Sequence, residues 1–137
     1  MEWIKDDFLI TDDFRNVDLD ITYQLLRETY WGHRRSRDVI KRMVTYSLCF
    51  SLLHENKQIG FARAVSDYTV FSWIADVVIH PEHRGKGLGK WMLSCIIEHP
   101  KIRLTQMVLQ TGEAHRLYEK YGFIQSTALM SRSPEGV

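Results

Sequence analysis

Glycine stands at every second position of Arg84-Gly85-Lys86-Gly87-Leu88-Gly89-Lys90, between the Val77-Val78-Ile79 run and an apolar, helix-like run that begins at Trp91. Such a stretch at a strand-to-helix junction suits an anion. The first backbone N–H groups of a helix have no intrahelical partner and lie at the positive end of its dipole, where phosphate is the natural occupant. Gly85, Gly87 and Gly89 remove side chains where a ligand would approach, and Arg84, Lys86 and Lys90 add positive charge. Two familiar phosphate loops fail on spacing. A nucleoside triphosphate loop needs Ser or Thr after Gly-Lys, and Trp91 follows Gly89-Lys90. A dinucleotide fingerprint needs a third glycine where Lys90 stands.

The elements that must hold this loop can be read from periodicity and caps. Residues 7–13 read as a first strand. A helix follows with Leu19, Tyr23, Leu26 and Tyr30 at helical spacing and Asp18 as N-cap. Gly32 breaks that pattern, and Ser36 caps a second helix with Val39, Ile40, Met43 and Val44 on one stripe. Residues 48–54, 59–65 and 71–80 form three apolar runs joined by short polar links, a meander. Beyond the glycine loop a helix stops before Pro100. Residues 104–111 read as a strand, 113–121 as a short helix closed by Gly122, 123–130 as a last strand and 131–137 as a frayed tail. Strand, two helices, three strands, helix, strand, helix, strand is an α/β order with a mixed sheet covered by four helices.

Composition sets the outer limits. The chain has 137 residues, 45% of them hydrophobic, which suits one domain over residues 1–137. A net charge of +1 gives no global attraction to nucleic acid or an anionic membrane, so an anion site must be local. No apolar run approaches membrane-spanning length and the N-terminal residues lack a signal-peptide pattern, so a cytoplasmic protein is expected. Cys49 and Cys95 fit neither a zinc pattern nor a disulfide framework and read as buried thiols. His80 and His83 lack a completing ligand cluster, so no metal is expected and both read as loop residues.

The Arg84 to Gly89 motif R-x-x-G-x-G, directly after Val77-Val78-Ile79-His80-Pro81, resembles the acetyl-coenzyme A signature of the GNAT N-acetyltransferase superfamily. Residues Ala114 to Phe123, AHRLYEKYGF, resemble its second characteristic segment. The resemblance covers nearly the whole chain and implies a GNAT-like α/β fold, with a mixed, mostly antiparallel central sheet, four flanking helices and a splayed coenzyme A slot. It implies acetyl-CoA as cosubstrate, with backbone amides from Arg84 through Gly85, Lys86, Gly87, Leu88 and Gly89 to Lys90 around the pyrophosphate. The Val77, Val78 and Ile79 backbone would bond the pantetheine arm like an added strand beside a bulge. Tyr118 matches the family's general acid, which protonates the CoA thiolate leaving a tetrahedral intermediate after direct attack by a primary amine.

The proton acceptor for the amine does not carry over. Some family members use a Glu on the strand before the loop, and that position is Trp73 here. Asp76 and His115 are the candidate bases. Asp76 has opposite side-chain parity to Trp73 and faces the cleft only if a bulge reverses the alternation. His115 precedes Tyr118 by one helical turn. In this architecture the segment between the first two helices overhangs the cleft, which makes Tyr30, Trp31 and His33 candidates for the acceptor wall. Asp67 is a candidate for binding a cationic acceptor. A small-molecule or peptide amine is the expected partner, and a homodimer is compatible with the family. A catalytically inactive acyl-CoA-binding or sensing module is the alternative, motivated by Trp73.

Overall fold

The computed structural model describes residues 1–29 and 31–134. The chain opens with a hairpin, β1 (Glu2–Lys5) and β2 (Phe8–Thr11), where a single strand over residues 7–13 is expected. β1 escapes a periodicity reading because it is a charged edge strand with only Trp3 half-buried. Two helices follow, α1 (Leu19–Arg27) and α2 (Arg37–Thr45), both capped as the sequence predicts. The Asp18 carboxylate accepts the Ile21 N–H at 3.0 Å and the Ser36 hydroxyl accepts the Val39 N–H at 3.2 Å.

The meander is β3 (Leu48–His54), β4 (Lys57–Ser66) and β5 (Phe71–Ile79). Glu55 and Asn56 turn β3 into β4 with φ of 52° and 65°, as a tight two-residue hairpin requires. A 3-10 turn (Pro81–His83) leads through the glycine loop into α3 (Leu88–Ile97), then β6 (Gln106–Val108) and α4 (His115–Glu119). The six strands lie in sequence order in one sheet, antiparallel except for the β5–β6 pair. The expected mixed, mostly antiparallel sheet with four helices is therefore what forms.

The sheet buries apolar side chains on both faces. Leu25 and Leu26 of α1 and Ile40 and Val44 of α2 pack with Cys49, Phe61 and Val78. On the opposite face Leu88, Met92, Cys95 and Ile96 of α3 pack with Phe50, Leu52, Ala62 and Ile74. Both cysteines are buried and free, and burial pushes their thiols up to about 12 at Cys49 and about 11 at Cys95. Among the described residues no helix is long and apolar enough to cross a membrane.

Two expectations at the C-terminal end need correction. The strand expected over 104–111 is only Gln106–Val108, and residues 123–130 form no strand. A strand needs an edge to pair with, and three-residue β6 gives that segment none, leaving Ile124 and Met130 90% and 92% exposed. Gly122 does close α4 as expected. At φ 91° it stands where the Phe123 N–H reaches the Tyr118 carbonyl at 3.2 Å and the Gly122 N–H reaches the Glu119 carbonyl at 3.1 Å.

Candidate active site

The glycine loop takes its shape from backbone conformation. Gly85 and Gly87 have φ of 83° and 76°, in the left-handed region, and a Cβ at either would meet nothing within 4 Å. Conformation, not crowding, selects glycine there. No side chain caps α3 at Gly87. Its first helical bond runs from the Trp91 N–H to the Gly87 carbonyl at 3.1 Å, so the amides of Leu88, Gly89 and Lys90 are left to an external acceptor. Arg84 is drawn back over the strand by Nε donating to the Ile79 carbonyl at 3.1 Å. His80 is a capping residue whose Nδ1 accepts the Glu82 N–H at 3.1 Å.

β5 carries the second part of the site. Phe61 pairs with Val78 and Arg63 with Ala75, so Ala62 faces two residues, Asp76 and Val77. This is a bulge, and Asp76 adopts φ 57° within it. Pairing with β6 ends at Trp73 with Val108, and beyond that point the two strands part. The backbone edge of Ala75 to Ile79 on that side thus faces a cavity of about 1990 Å³. Its wall includes Arg84, Gly85 and Gly87 of the loop, Trp73 and Val77 to Ile79 of β5, Arg35 where it meets Asp76, and also Trp31 and Glu28. Tyr118 and His115 line it from α4. An anion cradle, an open strand edge and a hydroxyl facing one long cavity fit a molecule with a pyrophosphate and an extended amide-bearing arm.

Tyr118 is half-buried, with its ring edge-on to Phe123 at 5.8 Å, and burial raises its phenol above the ordinary value of 10. It is therefore a protonated donor throughout the neutral range. Tyr121 ties α4 to the start of α3 through its hydroxyl, 3.4 Å from the Lys90 carbonyl.

Asp76 is placed by the bulge in the cavity wall, yet its chemistry differs from that of a free base. Its side chain is 1% exposed and accepts from Arg35 Nη1 at 2.6 Å and from Arg63 Nε on its other oxygen. Both oxygens are committed to guanidinium groups. Asp67 must also be corrected. Its Oδ1 accepts the N–H groups of Thr69, Val70 and Phe71 at 2.8 to 3.0 Å, which shapes the β4–β5 loop and holds the carboxyl below its ordinary value. It does not line the cavity. Trp31 does, while Tyr30 lies outside the described residues.

Arg35, Arg63 and Glu28 were missing from the sequence reading. Arg63 lies in an apolar stretch of β4 and Asp76 in one of β5, a signal that two buried charges of adjacent strands must meet. Glu28 ends α1 and lines the cavity. Away from the cavity, Asp7, His54 and Glu55 bring ligand atoms within 4.8 Å of one another on two neighbouring hairpin turns, and His54 Nε2 lies 3.0 Å from Asp7 Oδ2. That contact is an ordinary surface pair.

The fold and the cavity agree with what the chain is similar to. A family model described as an acetyltransferase (GNAT) domain matches residues 45–125. The uncharacterised N-acetyltransferase ycf52 of Pyropia yezoensis is 31% identical, over 97% of this chain and 75% of its own length. A solved protein from Xanthomonas campestris pv. campestris assigned to the GNAT family has a TM-score of 0.89 at 31% identity, covering 95% of each chain. A GNAT family acetyltransferase from Elizabethkingia anophelis, solved with acetyl-CoA bound, shares the fold with a TM-score of 0.69 at 22% identity, over 89% of this chain and 79% of its own. This chain belongs to the GNAT acetyltransferase family.

Proposed function

We propose that this protein transfers an acetyl group from acetyl-CoA to the primary amine of a small-molecule or peptide acceptor, by direct attack of the amine on the thioester carbonyl. The observation that carries this reading is the shared cavity, lined by the glycine loop, the edge of β5 left unpaired beyond Trp73, and Tyr118. The acetyl-CoA bound in the Elizabethkingia anophelis protein supports the choice of donor. Leu88, Gly89 and Lys90 donate backbone N–H groups to the pyrophosphate, and Arg84 and Lys90, which line the cavity, add their charge, whereas Lys86 does not line it and has its Nζ 3.3 Å from His83 Nδ1 and over the Phe8 ring. The β5 edge over Val77 to Ile79 aligns the pantetheine arm as a neighbouring strand would.

With the pyrophosphate at the C-terminal end of β5, the thioester lies back towards the Asp76 bulge. Acetyl-CoA supplies an activated acyl group whose leaving atom is a thiolate. Tyr118, protonated at neutral pH, donates to that sulfur as the C–S bond breaks. The amine loses a proton as the C–N bond forms. Glu28 and His115 are among the cavity-wall residues able to accept it, directly or through water, since both Asp76 oxygens are engaged. Trp31 and Trp73 wall the acceptor end. Free-thiol release from acetyl-CoA across a panel of primary amines tests the reading, with Tyr118→Phe as the paired variant. Amine-dependent thiol release that collapses in the variant supports it. Acetyl-CoA binding without turnover of any amine would leave a binding module instead.

A further inference from the structure

We infer that Arg35 anchors the acceptor, and that the acceptor is therefore an amine carrying an oxyanion, a carboxylate or a phosphate. The inference rests on the acetyl-CoA reading, which puts the thioester beside the Asp76 bulge and the acceptor beyond it.

Asp76, with its side chain 1% exposed, binds Arg35 through one oxygen and Arg63 through the other. Two guanidinium groups share the single Asp76 carboxylate, so Asp76 by itself neutralises only one of them, and Glu28 is a further acid in the cavity wall. The two arginines are not equivalent. Arg63 is 15% exposed, gives Nη1 to the Ser47 hydroxyl at 3.2 Å and takes no part in the cavity wall. Arg35 is 26% exposed and lines the cavity. Among the described residues it makes one side-chain hydrogen bond, to Asp76, which leaves donors of its planar fork for a ligand.

Arg35 is also held in place before any ligand arrives. The loop that carries it is built on Thr29, whose hydroxyl donates to the Leu26 carbonyl at 2.7 Å and accepts the Gly32 N–H at 3.0 Å. The packing is so close that a Cβ on Gly32 would meet Thr29 Oγ1 at 2.9 Å and the Leu26 carbonyl at 3.0 Å. The Arg35 N–H then bonds the Gly32 carbonyl at 3.2 Å. Asp76 fixes the guanidinium from behind, so little side-chain freedom remains to be lost on binding. Trp31 and Trp73 line the same cavity. Asp76 and Arg63 are positioning residues for Arg35 in this account.

The test compares matched amines: glycine with glycinamide, tyrosine with tyramine, and O-phosphoethanolamine with ethanolamine. Thiol release gives kcat/KM, and calorimetry gives binding of each amine to the CoA-loaded protein and of acetyl-CoA to the free protein. At least one anionic amine is expected to exceed its neutral partner on the order of 10- to 100-fold, the worth of a hydrogen bond to a charged group. Carboxylate and phosphate pairs show which anion is preferred. Arg35→Gln should erase that ratio by raising KM for the anionic amine far more than for its neutral partner, with acetyl-CoA still bound. Arg35→Lys, which keeps the charge, should retain part of the ratio and guards against misreading a folding defect. An unchanged ratio in Arg35→Gln overturns the inference, as does an anionic panel that is neither bound nor acetylated while acetyl-CoA still binds. Absence of acetyl-CoA binding overturns the donor reading, and this inference with it.

Discussion

Asp76 and Arg63 face each other across the β4–β5 ladder beside the bulge, one with a 1% exposed side chain and the other 15% exposed, and they are joined through the carboxylate and Nε. The pair lets an acidic residue occupy a left-handed backbone position inside a sheet. Such strain costs on the order of 1–3 kcal/mol and persists only where the surroundings over-determine it. Asp76→Asn keeps a residue type tolerant of positive φ and removes only the charge. Removing one partner of a buried pair costs roughly 3–5 kcal/mol, but the two arginines can rehydrate, so about 2 kcal/mol is expected. Urea unfolding at neutral pH measures this. A variant as stable as its parent would show that the bulge does not depend on the ion pairs.

Tyr118→Phe should lower kcat by roughly 100-fold or more, the usual worth of a positioned general acid, with acetyl-CoA affinity nearly unchanged. Because burial raises the phenol above 10, its loss of a proton should put no descending limb below that pH in the wild-type rate profile. A limb near neutrality that vanished in Tyr118→Phe would contradict the assignment.

How much of this was legible in the sequence depends on how local each cause is. Asp18, Ser36 and Gly122 act on amides within a few residues of themselves, and all three do what their spacing predicts. The glycine loop is legible for the same reason. The bulge at Asp76 is a matter of register between two strands, which no short window contains. Arg35 sits among Arg34 and Arg37, and only the tertiary fold selects which arginine meets Asp76. Asp67 misleads because its carboxylate serves its own loop, a role that acids in turns commonly take. Residues 123–130 are apolar enough to read as a strand but find no edge to pair with.

Asp12 links the N-terminal hairpin to the helix-following turn of α3. Its Oδ2 lies 2.7 Å from His99 Nε2 and its Oδ1 2.6 Å from the Met1 ammonium. His99 Nδ1 accepts the Lys101 N–H, so Nε2 is the nitrogen that carries the proton. Burial alone would raise the Asp12 carboxyl, but the hydrogen bonds from the Met1 ammonium and His99 and the charge of the ammonium outweigh it and hold the group below its ordinary 3.8. A carboxyl lowered in the folded state stabilises above its ordinary value and loses that contribution as pH falls through the lowered one. Asp12→Asn should therefore cost on the order of 2 kcal/mol at pH 7, and the gap to wild type should close below pH ~4. Urea unfolding at several pH values checks this, and a gap independent of pH would contradict it.

In the proposed reaction the glycine loop holds the pyrophosphate of acetyl-CoA. Calorimetric titration of acetyl-CoA into wild type and Gly87→Ala tests it most directly. Alanine at φ 76° has the space but not the backbone preference, so the free loop relaxes and binding must restore a conformation worth about 1–2 kcal/mol. Saturable one-to-one binding to the wild type is expected, weakened roughly tenfold in Gly87→Ala with the fold retained. No binding to the wild type, or equal binding to both proteins, would contradict it.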